Sequence, residues 1–161
     1  MKRLNGLYEK IIEMDNLRIA FDKAKKGKEK RICVQECIAK KDMLLNKLHN
    51  MLVKEEYHTS DYKTFTIFEP KERLIYKLPF FPDRILHHAI MNIMEDIWVK
   101  SMISSTYACI KGRGIHKCLY GIKKCINANK GKKLYCLKMD IRHFYPSIDH
   151  DCLKQAIRKK I

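Results

Sequence analysis

No apolar run in this 161-residue sequence approaches the ~20 residues that a membrane-spanning helix needs. The N-terminus, MKRLNGLYEK, is basic but is not followed by the apolar stretch of about 7–15 residues that makes a signal peptide, so secretion is not expected. There is no CxxC. The seven cysteines (Cys33, Cys37, Cys109, Cys118, Cys125, Cys136 and Cys152) are odd in number, and five sit inside periodic apolar patterns, where a free thiol behaves as a small hydrophobe. The expectation is a reducing, cytoplasmic setting without disulfides or structural zinc. Internal repeats, low-complexity segments and flexible linkers are also missing. So is acid across residues 111–138, where nine lysines and arginines stand with no aspartate or glutamate among them.

What is there is positive charge. Lysine and arginine number 34 against 18 aspartates and glutamates, a formal charge of +16, and the sequence pI is near 9.6. Charge of this size points to a polyanionic partner, most simply a nucleic acid, with an anionic membrane surface as the other class. Residues 1–60 carry 14 basic and 9 acidic side chains, residues 61–161 carry 20 and 9, so the excess lies in the C-terminal part. Like charges as dense as those of 111–138 repel one another on a helix, and a counter-anion would relieve that. The length fits one domain with a helical extension, and 46% apolar residues can build a core.

Residues 3–22 place Leu4, Leu7, Ile11, Met14 and Leu17 near helical spacing. KKGKEKR at 25–31 is a charged break around Gly27. A second helix is expected to about residue 56, with Val34, Ile38, Leu45, Leu48 and Leu52 as its stripe. YKTFTIFEPKERLIYKL (62–78) is rich in aromatic and β-branched residues and reads as two strands joined by a turn at 69–72. A helix over about 83–100 follows, with Ile85, Leu86, Ala89, Ile90, Ile93, Ile97 and Trp98 on one face. Next come a loop with a Ser104–Ser105 turn and a helix over about 114–128, with Ile115, Leu119, Ile122 and Ile126 inward. A turn at 127–131 precedes a short strand over 134–140, and a last helix begins near Asp149, where negative charge meets the helix dipole.

LKMDIRHFYPSID (137–149) places Asp140 at the end of that apolar strand, where a ligand can reach it. A bare aspartate there is more often a turn or cap residue than a metal ligand. LKMDIRHFYPSIDH, however, resembles motif A of the reverse transcriptases, in particular the bacterial ones of group II introns, retrons and diversity-generating retroelements. KERLIYKLPFFPDRILHHAI (71–90) resembles their fingers block, and TYACIKGRGIHKCL (106–119) the block after it, in the same order. The likeness covers about half the chain. Residues 1–60 match only in being helical and basic, and the tyrosine-x-Asp-Asp motif, the later palm motifs and the thumb are absent.

The resemblance implies an α+β fold: a helical N-terminal region (1–60), fingers with a β-hairpin and packed helices (61–133), and the first strand and helix of a polymerase palm (134–161). It implies RNA-directed DNA polymerase activity by phosphoryl transfer through two Mg²⁺ ions in the full-length enzyme. Asp140 would bridge both ions and Ile141 would offer its backbone carbonyl. Tyr145 would pack under the deoxynucleotide sugar and exclude a 2′-hydroxyl. Phe144 is expected to pack inward. Lys71 and Arg73, with Lys77 the weaker candidate, would hold the triphosphate. Lys111 and Arg113 would touch nucleic acid, Arg84 would either hold template phosphate or pair locally with a carboxylate, and Gly112 and Gly114 would permit a tight turn. Cys109 and Ile110 stand where intron enzymes carry an aromatic and an arginine, which weakens the link to that lineage. The expected partners are an RNA template, an RNA–DNA hybrid and a deoxynucleoside triphosphate, with no membrane and with self-association through the incomplete palm. One carboxylate cannot hold two Mg²⁺ ions, so the chain by itself is expected to be inactive. The alternative is a noncatalytic, basic nucleic-acid-binding domain.

Overall fold

The computed structural model describes residues 4–161; Arg3, where the first expected helix starts, lies outside the described residues. The elements run α1 (Leu7–Ile12), α2 (Met14–Lys25), α3 (Ile32–Ala39), α4 (Lys41–Val53), β1 (Lys63–Phe68), β2 (Glu72–Lys77), α5 (Ile85–Ser101), α6 (Ile115–Ala128), α7 (Phe144–Ser147) and α8 (His150–Arg158). The fold is α+β. Its described residues form two compact units, Gly6–Ile97 in one and Trp98–Ile161 with Leu4 and Asn5 in the other.

The first unit has a core of three helices. Leu17, Ala20, Phe21 and Ala24 recur every three or four residues along α2, so they share one face. Leu45, Leu48 and Leu52 of α4 and Ile85, Leu86 and Ala89 of α5 close on that face. Phe21 meets Phe80 edge to face, with ring centroids 5.5 Å apart. Each fully buried Leu, Ile or Phe side chain contributes about 1.5–3 kcal/mol.

Both expected N-terminal helices are broken in two. Glu13 is extended (φ −53°, ψ 134°) between α1 and α2, and Lys40 (φ −113°, ψ 24°) separates α3 from α4. The break at Glu13 leaves the Ile11 carbonyl without a helical partner. Asn16, buried on α2, donates to it through Nδ2 at 2.8 Å, donates to the Ala89 carbonyl of α5 at 3.1 Å, and accepts from Asn92 at 2.9 Å. One polar side chain thus mends the break and ties α5 to it.

β1 and β2 pair antiparallel, from Lys63 opposite Lys77 to Phe68 opposite Glu72. The turn between them falls where Glu69 and Pro70 predict it. A chain passage through residues 80–84, with a cis peptide between Phe81 and Pro82, leads into α5. There Asp83 is completely buried. Its Oδ1 accepts from the Tyr57 hydroxyl at 2.7 Å and the Ser60 amide at 3.0 Å, fastening the segment before the hairpin to the segment after it.

The second unit buries none of its described residues. α6 forms where its spacing predicts, but Ile115, Leu119, Ile122 and Ile126 are about half exposed or more (80%, 48%, 52% and 51%), not inward. No element of this unit covers that face. Phe144 is likewise exposed rather than inward, and its ring meets that of Tyr145. Residues 134–140 do not form the expected strand, so the first palm strand is not present. A strand exists by pairing its backbone groups with a neighbour, and among the described residues the only sheet is β1–β2. The connection after it contains the single turn α7. α8 begins as expected, capped by Asp149, whose Oδ1 accepts from the Cys152 amide at 2.7 Å. Five cysteines are exposed and two half-buried, and of the seven only Cys37 packs against the core.

Candidate nucleic-acid interface

The hairpin sorts its side chains by the two-residue period of a strand. Lys63, Phe65 and Ile67 of β1 share a face with Arg73, Ile75 and Lys77 of β2. That face carries three cations and no acid. Glu72, the strands' only acid, lies on the other face with Leu74, Tyr76 and Phe68. Lys63 stands directly opposite Lys77, an unfavourable cross-strand pair unless an anion lies against it. Lys71 sits in the turn, next to the Arg73 end of the basic face. Arg73 and Lys77 are four residues apart, roughly 13 Å along the strand, so they would meet different phosphates rather than one.

Arg84 is exposed at the entry to α5, not on the hairpin. It lines a cavity of about 280 Å³ together with Lys77 and with Lys28 and Arg31 from the segment between α2 and α3. A second cavity of about 390 Å³ shares Cys33, Lys77, Leu78 and Phe80 with the first and adds Ser60, Asp61, Lys63 and Pro79.

In the second unit, Arg113 turns back on its own loop. Its Nη1 donates to the Ile103 carbonyl at 3.2 Å and the Thr106 carbonyl at 3.5 Å. Gly112 has φ +74°, where glycine is favoured, and so makes the expected tight turn. Gly114 is extended (φ −155°, ψ −172°), which any residue adopts, so the turn needs only one of the two glycines. Lys111 is exposed beside it. Asp140 and Ile141 line an open depression with Lys138, Met139 and Phe144. Tyr145 is 84% exposed and is not among the residues of that depression.

Two Mg²⁺ ions need several oxygen ligands held together. Among the described residues no group of three or more His, Cys, Asp or Glu side chains could hold a metal ion. Asp149 is occupied in capping α8 and Asp151 pairs with Lys154. The residues present therefore do not fit a two-metal centre, and no chemical step is derived through one.

No protein-family model matches the sequence, and no curated protein matches it. Among the described residues, no helix is long and apolar enough to cross a membrane.

Reading the sequence alone passes over Lys28 and Arg31, which stand in what looks like a charged break, and Asp83, which looks like a helix-start residue. Their surroundings come from chain tens of residues away, at Lys77 and Tyr57. The only local signal is that KKGKEKR holds one acid among five cations.

Proposed function

We propose that the chain binds nucleic acid along the basic face of its hairpin, as the fingers and opening palm of an RNA-directed DNA polymerase of the reverse-transcriptase type. The observation that carries this is the face itself: Lys63, Arg73 and Lys77 with Phe65 between them, no acid, and Lys71 at its open end. Cations track a phosphate backbone, and an aromatic among them can stack on a base. The acid-free segment 111–138 of the second unit carries nine further cations. The hairpin and the loop before α6 carry the sequence blocks that resemble the family's fingers. In this reading Lys71 and Arg73 receive the triphosphate, and Asp140, exposed in its depression, stands at the position of the family's metal-binding aspartate without, among the described residues, the further ligands that a metal centre would need.

A second reading is favoured by the isolation of Asp140: a binding domain that performs no chemistry. Both readings include hybrid binding, and nucleotide binding separates them. With a labelled RNA–DNA hybrid, neutralising about five phosphates gives a slope of log K against log salt of roughly −3.5 to −4.5. Arg73→Ala reduces the slope by about 1 and weakens all sequences alike. A flat salt dependence refutes both readings. Equilibrium dialysis then measures a deoxynucleoside triphosphate. Binding that is lost in Lys71→Ala/Arg73→Ala supports the polymerase reading. Hybrid binding without triphosphate binding leaves the noncatalytic one. Either way, the lone Asp140 leaves the chain by itself without nucleotide incorporation on a primed RNA template.

A further inference from the structure

The geometry points to a pocket for a nucleoside 5′-phosphate in the first unit, built from Lys28, Arg31, Lys77 and Arg84 and sharing no residue with the hairpin tip or with the depression at Asp140. Four cationic side chains from three stretches of chain line one cavity of about 280 Å³, and no carboxylate lines it. Among the described residues none of the four is paired with an acid. The cavity also takes in Cys33 and Val34, the first turn of α3. That helix has no side-chain cap and no acid in its first turn, so no side chain offsets its positive end, although the Val34 amide already donates to the Arg31 carbonyl at 2.8 Å. These charges repel one another. Burial, then Arg84 and Arg31, lower the Lys28 pKa, and burial followed by Arg84 and Lys28 lowers that of His88. An anion in the cavity removes the repulsion.

The amount of positive charge selects the kind of phosphate. A diester carries one negative charge, whereas a terminal phosphate carries about 1.5–2 at neutral pH. Four cations and a helix end fit the terminal group better. The adjoining cavity of about 390 Å³ gives room for what that phosphate is attached to. Leu78, Pro79 and Phe80 offer it an apolar surface, and Ser60 and Asp61 offer hydrogen-bonding groups suited to a sugar or base edge. The two cavities together therefore suit one nucleotide unit, either free or at the 5′ end of an oligonucleotide. The proposal does not require polymerase ancestry, and it uses neither Lys71 nor Arg73.

Cys33 lines both cavities and is exposed, so it reports occupancy. The test follows alkylation of the full chain by iodoacetamide, site by site, by mass spectrometry. The probes are deoxyadenosine 5′-monophosphate and a trinucleotide with or without a 5′-phosphate. A probe at about ten times its Kd leaves roughly one pocket in eleven free, so Cys33 reacts about tenfold more slowly. Cys152, in the other unit, keeps its rate. In Arg31→Gln/Arg84→Gln, whose side chains are exposed, half-protection requires about tenfold more ligand or more. A melting curve checks that this variant folds, and Lys28→Gln carries the test if it does not. Protection by the mononucleotide assigns a free nucleotide; protection by the phosphorylated trinucleotide alone assigns a 5′ end. Equal protection by the 5′-hydroxyl trinucleotide, or no protection by any probe, overturns the proposal. Hybrid binding that depends on Arg73 can survive that result, so the two proposals fail separately.

Discussion

Asp83 is a carboxylate with no exposure at all; two donors meet its Oδ1, while its Oδ2 is buried without a hydrogen-bond partner. Burial works to raise its pKa, but the bonds from Ser60 and Tyr57 outweigh it and hold the carboxyl below its ordinary 3.8. Burial, and then Asp83, push the Tyr57 phenol up to about 12. Tyr57→Phe removes a hydrogen bond to a charged group and leaves Oδ1 with the Ser60 amide alone. The expected loss is about 1.5–3 kcal/mol in urea unfolding. The sign of the pH effect follows from the direction of each shift. The depressed Asp83 contributes stability above pH 3.8 that disappears as pH falls through its folded value. The raised Tyr57 contributes below pH 10 and ceases to as pH rises through about 12. The urea midpoint of the wild type therefore declines below pH 4. Asp83→Asn, which keeps the acceptor and loses the charge, declines less steeply there. An equal decline in both assigns the acid sensitivity to Asp22, Glu29 and Asp149, whose carboxyls are also held low.

Among the elements, local signals and tertiary needs part company. α8 could be placed from sequence because its start is local: Asp149 caps an amide three residues on. Asp149→Ala frays the first turn of α8, seen as faster amide exchange at Cys152, while Asp149→Asn, which can also cap, restores protection. The hairpin was equally legible, since its alternation and turn lie within 15 consecutive residues. Segment 134–140 has the same alternation and forms no strand, because alternation describes the faces of a strand and says nothing of its neighbour. The breaks at Glu13 and Lys40 were not legible either. Neither residue is a proline or glycine, and the compensation at Glu13 comes from Asn16, Ala89 and Asn92.

For the whole molecule, burial is unequally shared. All the residues buried in the described chain lie in Gly6–Ile97. Local opening free energies follow buried apolar contact. Native-state hydrogen exchange should therefore show the amides of α2, α4 and the first turns of α5 as the most protected, and those of α6 and α8 as exchanging faster by orders of magnitude. Equal protection in α4 and α6 would mean that something covers the Ile115–Ile126 face in solution. The net charge of +16 acts at this scale too, because its long-range attraction for a polyanion depends on the sum and is screened by salt.

Composition alone determined that this is a strongly basic chain with enough apolar sequence for a core. Periodicity determined most helices, the hairpin and the stripe Leu45, Leu48 and Leu52, because those patterns repeat within one or two turns of backbone. The order of three motifs led to the reading of polymerase fingers. Only the tertiary structure decided that Asn16 and Asp83 are buried ties and that the α6 stripe lies exposed. It alone brought Lys28 and Arg31 to Lys77 and Arg84. The reason is common to all of these: burial and electrostatic fields depend on which distant segments meet, and that information is not carried by neighbours along the chain.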